Sequence, residues 1–349
     1  MTFFPAPRRT ARDLLIPFAL ALLSAGAYSC GKGEKAAGPE GREAGSGAPA
    51  ASPTAKTGPV TPATVPPVGG RVTLRIGATS GLLDARSVAV DKAGNIWVGD
   101  TGHQRIVRFD ASGREVQKVG RQGTEAGSFS NVGRVAASPD GSVAVLDPWS
   151  QFVQYFDADG KYLRRVGGPS TGFYSPGGLA VTGEGAPLVA DTGNNRIVTP
   201  GEPGTAPVFT AASFGDVALR QPTEVAVDGA GNYLVLDLGG AGGKGRLLKA
   251  SPAGALLGEW VVLSIPTTRD TPRIAVLPDG RIAMTDPVAL RVVLFSADLS
   301  KGGPVRLEGE LAAPLKAPAG IAADSQGRLY VLDAAASVVY RIEIPAAGP

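Results

Sequence analysis

GNIWVGDTGHQRIVRF, running from Gly94 to Phe109, reads as two short apolar strands joined by a polar turn. Its first strand, IWVG from Ile96, ends in Asp100, six residues after the turn glycine Gly94. The same Gly-x5-Asp spacing returns at Gly141/Asp147, Gly185/Asp191, Gly231/Asp237, Gly280/Asp286 and Gly327/Asp333. Successive aspartates stand 47, 44, 46, 49 and 47 residues apart. Self-similarity at a period of this length marks propeller blades or a repeat array.

Each copy divides in the same way. In the first, SVAVD ends at Asp91 and leads into a glycine-bearing hairpin, IWVG follows, RIVRF starts at Arg105, and EVQKV starts at Glu115. Four antiparallel strands in roughly 45 residues make one propeller blade. The two ends of the chain complete the pattern. The sixth copy stops after its third strand, VVYRIEI from Val338 to Ile344, while an orphan strand, RVTLRIG from Arg71 to Gly77, precedes the first copy. If the orphan supplies the missing strand, the ring closes and no long edge is left open. The expected fold is therefore all-β: a six-bladed β-propeller over residues 71–349. Its blades cover about 81–123, 128–170, 171–220, 221–262, 263–311 and 312–349, the last completed by 71–77.

These residues resemble NHL repeats. GNIWVGDTGHQRI, ADTGNNRIV from Ala190 to Val198, and PTEVAVDGAGNYLVLD from Pro222 to Asp237 follow that family's pattern of Pro-x-Gly-apolar-Ala-Val-Asp, Gly-Asn, then Asp-Thr-x-Asn-x-Arg-Ile. The resemblance covers roughly residues 71–345 and implies a fold rather than an activity. Departures are visible at Phe152 and Val338, which replace the pattern's arginine, and at a glycine run, Gly239 to Gly245, inserted in the fourth copy.

Composition agrees with a turn-dense β protein: 49 glycines and 29 prolines in 349 residues, with only 19% charged. The net charge of +3 lies wholly in residues 1–70, which hold seven Lys/Arg and four Asp/Glu; the rest carries 27 of each sign. A basic excess confined to a leader and linker argues against nucleic acid as a partner.

The leader places Arg8, Arg9 and Arg12 before an apolar run from Leu14 to Leu23 and small residues from Ser24 to Ala27. That order is a secretory signal, too short for a spanning helix. The only cysteine, Cys30, falls just after it. Ala27-Tyr28-Ser29-Cys30 resembles the lipobox of bacterial lipoproteins, though Ala27 stands where Leu is usual and Tyr28 is bulkier than the pattern. The resemblance implies a signal peptide over 1–29, acylation of Cys30, and a lipid-anchored envelope protein, at the outer membrane's periplasmic face or the cell surface of a Gram-negative bacterium. Cleavage after Ala27 and secretion is the alternative. Residues 30–70 are Gly, Ala, Pro, Ser and Thr with almost no large apolar side chains, the composition of a disordered tether spanning on the order of 35 Å.

A residue repeated once per blade is spread around a ring, so Asp100, Asp147, Asp191, Asp237, Asp286 and Asp333 are read as structural. Each carboxylate is expected to accept backbone N–H bonds from its own turn, with Arg105, Arg196 and Arg291, five residues on, pairing with it. Function is sought where the copies differ. Aligned on the turn glycine, the position opening each innermost strand reads Ser87, Arg134, Gly178, Glu224, Arg273 and Gly320. Glycine is the family's usual residue there, so Arg134, Glu224 and Arg273 should meet at one mouth of the central channel. They suit a carboxylate- or phosphate-bearing ligand, or else form a salt-bridge network that plugs the channel. Turns on the same face bring His103, Gln104, Trp149, Gln151, Asn194, Asn195 and the Gly239–Gly245 loop. Trp149 is the expected recognition aromatic, while Trp97 and Trp260 lie in strands and should pack.

An enzyme needs a chemical set, and the sequence offers little. The amidating lyases with NHL-like repeats hold zinc through several histidines, whereas this chain has His103 alone and no cysteine in the repeats. A nucleophilic triad would depend on that one turn histidine. Gluconolactonase-like propellers bind a divalent ion through carboxylates and amides, and Glu224 finds no second acid at an equivalent inner position. The expectation is a monomeric propeller without cofactor or metal that binds another envelope protein or polymer, touching membrane only through its anchor. A propeller hydrolase, lactonase or lyase with a divalent metal in the channel is the alternative.

Overall fold

The structure is a computed structural model and describes residues 63–239, 244–262, 270–310 and 312–346. The expected signal peptide, Cys30 and most of the expected tether lie outside the described residues. Each of the first four copies of the repeat is one four-stranded antiparallel sheet, the first formed by Ala85–Val90, Ile96–Asp100, Arg105–Phe109 and Glu115–Val119. The innermost strands of the others are Arg134–Ala137, Gly178–Val181, Pro222–Val227, Ile274–Val276 and Pro318–Ala323. Each packs against the next, and the last against the first, which closes a ring of six blades.

Apolar cores lie between consecutive blades rather than within them. Trp97, Ile106, Val143 and Phe156 share the first interface; Tyr330, Leu332, Val88 and Val98 share the one that joins the last blade to the first. This arrangement decides what a strand looks like in sequence. The second strands, such as Val143–Asp147 and Leu329–Asp333, are covered on both faces and buried along their whole length, so they read as unbroken apolar runs. The hairpin glycines Gly94, Gly141, Gly185, Gly231, Gly280 and Gly327 all adopt φ between 78° and 88°. A side chain would be strained there, which is why glycine marks the period.

Closure follows the expected logic and extends beyond it. The N-terminal strand Val68–Ile76 pairs antiparallel with Val338–Glu343, from Arg71 opposite Glu343 to Ile76 opposite Val339. It begins three residues before the expected boundary. Val68 to Arg71 also pair, in parallel, with Val305 to Glu308 of the fifth blade's outer strand, and Ala63–Thr64 pair with Lys301–Gly302. Blades five and six thus share one continuous sheet.

The repeated aspartates are nearly all fully buried, and they reach further than their own turns. Asp100, Asp147, Asp191, Asp237 and Asp333 accept N–H bonds from Leu83, Ser130 and Asn131, Tyr174, Gln221, and Lys316 and Ala317. Those donors lie in the loop that enters the same blade's innermost strand. The expectation of own-turn bonds is therefore corrected: turn N–H groups contribute, as Trp149 and Ser150 do to Asp147, but the common contact pins the crossover from the preceding blade. Arg105, Arg196 and Arg291 donate through Nε to Asp100, Asp191 and Asp286 at 2.7, 2.7 and 3.1 Å. In the fourth copy Arg246, nine residues after Asp237, takes the same role across the glycine insertion. Where the copy keeps Asp-Thr, the threonine ties forward: Thr101 and Thr192 hydroxyls donate to the carbonyls of Val132 and Pro222 in the next blade, at 2.8 and 2.7 Å.

Candidate functional site

The aspartate end of the blades carries the channel mouth. In the first, fourth and sixth blades a β-bulge precedes the residue that opens the innermost strand, at Ser87, Glu224 and Gly320. A bulge re-aims side chains, and here it brings Arg86 to the rim beside Ser87. Arg86, Arg134 and Arg273 line both the channel, of about 260 Å³, and a mouth cavity of about 320 Å³ above it. Below them the channel wall is made of small apolar residues, among them Ala89, Ala136, Ala180 and Ala226.

The convergence expected of Arg134, Glu224 and Arg273 is present. Arg273 Nη1 donates to Glu224 Oε2 at 2.8 Å, and Arg134 Nε stands 3.9 Å from the same oxygen. Gly178 makes the space: a Cβ there would lie 2.8 Å from Glu224 Oε1 and 2.7 Å from its Cα. Arg134 Nη1 donates to its neighbour's carbonyl, Gly133 O, at 2.7 Å. Arg86, which the repeat alignment did not single out, pairs with Asp84 and Asp270. Asp270 lines the same mouth, so among the described residues the rim holds three guanidinium groups and three carboxyls.

Burial pushes the Glu224 carboxyl up to about 7, against the pull of Arg134. Burial likewise lowers the Arg134 guanidinium, which Glu224 opposes; it remains a cation. Folded Glu224 keeps its proton to a higher pH than the unfolded chain, whose carboxyl titrates near 4.5. Its stabilising contribution is therefore full below that value and is lost as pH rises through about 7. Glu224→Gln should flatten this fall: the difference in Tm, variant minus wild type, is expected to grow from pH 5 to pH 8. A pH-independent difference would contradict it.

Trp149 is 71% exposed on the turn after Asp147. His103 and Asn194 are also exposed, and each has a structural contact as well: His103 Nδ1 lies 2.9 Å from Asp100 Oδ2, and Asn194 Nδ2 donates to Asp191 Oδ2 at 2.8 Å. Gln104, Gln151 and Asn195 hold left-handed backbone at the end of their turns. Trp97 is buried as expected, and its indole N–H donates to Asp91; Trp260 packs on Phe295. Leu83, Tyr174, Val288 and Leu290 are exposed as well, on loops at the same end of their blades. Among the described residues no group of three or more His, Cys, Asp and Glu side chains is placed to hold a metal ion.

The NHL repeat model matches residues 82–109, the stretch that carries Gly94, Asp100 and Arg105. The fold is a β-propeller, and one stretch of it matches the NHL repeat. Solved structures agree on the fold. A streptogramin B lyase aligns with a TM-score of 0.53 at 14% identity, covering 78% of this chain and 97% of its own. The virginiamycin B lyase of Staphylococcus aureus gives 0.54 at 12%, covering 78% and 99%. A protein of unknown function from Bacteroides thetaiotaomicron gives 0.59 at 13%, covering 80% and 75%. No curated protein matches the sequence. At these identities the likeness concerns the propeller alone, and the lyase activity belongs to those proteins.

Proposed function

We propose that the propeller is a binding module of the cell envelope, held by a lipid on Cys30 and engaging a protein or envelope polymer through its aspartate-end face. One observation carries this reading. Leu83, Trp149, Tyr174, Val288 and Leu290, all exposed, sit on segments bound to the repeated aspartates and therefore share the face that holds the charged mouth. Exposed aromatic side chains beside buried charge are the composition of a recognition surface. A second reading, an enzyme of the channel mouth, draws on Glu224, whose buried carboxyl has the proton affinity general acid–base catalysis needs near neutral pH.

Photo-crosslinking in intact cells tests the first reading. A photoreactive side chain at position 149 is expected to give a discrete adduct, and one at the outer-strand position 163 is not. Trp149→Ala should reduce capture of that partner by at least about tenfold, as loss of an interface anchor does. Cys30→Ser should release the protein from the membrane fraction and weaken the adduct. Equal adducts from both positions would remove this face from the function.

A further inference from the structure

At the centre of the mouth two arginines share one carboxyl. Arg86 has Asp84 and Asp270. Arg273 has Glu224 together with the carbonyls of Thr223 and Gly177. Arg134 has one backbone carbonyl and a distant share, at 3.9 Å, of the carboxylate oxygen that Arg273 already holds. The Nε–H groups of both Arg134 and Arg273 are buried and meet no hydrogen-bond acceptor among the described residues. A single carboxylate oxygen thus stands against two guanidinium forks. Buried cations are held by more acceptors than this.

We propose that the mouth binds a carboxylate monoanion as the counter-ion of Arg134, and that Glu224 takes up one proton from solvent as the anion enters. The charge balances: the anion brings one negative charge and the proton one positive, so the cluster keeps its net charge. The planar fork of Arg134 matches a carboxylate in two parallel hydrogen bonds. A phosphate dianion fits less well, because Asp84 and Asp270 stand on the same rim and repel a second charge. The cavity, about 320 Å³, accepts a small organic acid or the end of a peptide, and Val132, Pro148, Pro176 and Ala319 supply an apolar wall for what the carboxylate is attached to.

The surroundings of Glu224 set the direction of the linkage. Arg134 faces it from the second innermost strand and Arg273 from the head of the fifth; the third contributes Gly178, without charge; Arg86 and Asp270 stand across the mouth. An incoming carboxylate takes over the guanidinium groups that favour the ionised form of Glu224, and burial then favours the neutral form. Because burial already holds that carboxyl near 7 in the free protein, affinity should change little below neutrality. Above it, affinity should fall by about tenfold per pH unit, the signature of one proton taken up.

The inference rests on the reading of this face as a binding surface, and it can fail alone, since crosslinking at position 149 needs no small anion. Calorimetric titration of the full chain uses acetate, inorganic phosphate, and one short peptide as free acid and as C-terminal amide. The expected result at pH 6 is saturable binding of acetate and the peptide acid and no binding of the amide; at pH 8, where phosphate is a dianion, it should bind at least tenfold more weakly than acetate. Titrations near pH 8 in buffers of different ionisation enthalpy should report uptake approaching one proton, and near pH 6 almost none. Arg134→Gln should cost more than tenfold, and Glu224→Gln should abolish both proton uptake and pH dependence. A peptide acid that binds more tightly than acetate identifies a chain terminus as the source; equal affinities identify a small free acid. Absence of carboxylate binding by the wild type, or binding without proton uptake at pH 8, overturns the proposal. If Arg134→Gln does not fold, proton uptake by the wild type still decides.

Discussion

A chain lacking Arg71 to Ile76 is expected not to yield a stable folded monomer. The deleted segment pairs with Val338–Glu343 on one side, and its Arg71 is the last residue of the parallel pairing with the fifth blade on the other. It also buries Val72 and Ile76, which are 3% and 0% exposed. Two buried aliphatic side chains contribute about 1.5–3 kcal/mol each, before the lost ladder hydrogen bonds are counted. Set against a domain stability of roughly 5–15 kcal/mol, that loss is decisive. Removal would also expose Val338–Glu343 as an unprotected edge, so aggregation is the expected form of failure. Size-exclusion chromatography and urea denaturation check it, and a synthetic peptide of residues 68–76 should restore monomer. A milder change, Ile76→Ala, should cost about 2–5 kcal/mol through the cavity it leaves. A soluble, unshifted deletion variant would mean that the ring does not depend on this closure.

The sequence discloses this closure because two irregularities match: a spare strand at one end and a missing one at the other. It discloses the meeting of Arg134, Glu224 and Arg273 for a related reason. A fixed repeat fixes register, so residues aligned on Gly94 and its equivalents occupy equivalent places on the ring. Legibility stops where register does. Arg86 lies one residue off the aligned position and is carried to the rim by a bulge. Asp270 lies in the longest interval between aspartates, where the alignment has no partner for it. Arg246 is displaced by the glycine insertion, which turns a five-residue spacing into nine. His103 and Asn194 show another limit: a polar turn residue has the same pattern whether it only faces solvent or also bonds a buried carboxylate. The long reach of the aspartates was equally hidden, since a bond to the N–H of residue 83 or 174 leaves no mark in side-chain identity.

Those aspartates also give the sharpest contrast between copies. Asp191→Ala should lower stability by about 3 kcal/mol, and so lower Tm by roughly 6–12 °C. The carboxylate is wholly buried and accepts from Tyr174 N, Asn194 Nδ2 and Arg196 Nε at 2.8, 2.8 and 2.7 Å. Its loss leaves a backbone N–H and a guanidinium Nε without their acceptor in a site where water cannot fully replace it. Arg196 keeps a second anchor, from Nη2 to Thr171 O at 2.8 Å, which holds the cost below that of an entirely stranded cation. The same substitution at Asp286 should cost no more than about 1 kcal/mol, because that pair is open to solvent. There the carboxylate is 15% and Arg291 48% exposed. Denaturation of the two variants side by side checks the ordering, and equal losses would contradict it. Because the Asp-to-Arg spacing is the same in both copies, the difference measures what burial and the crossover hydrogen bond add to it. Acetate affinity at the mouth should be unchanged by Asp191→Ala, since Arg134, Glu224 and Arg273 do not touch it.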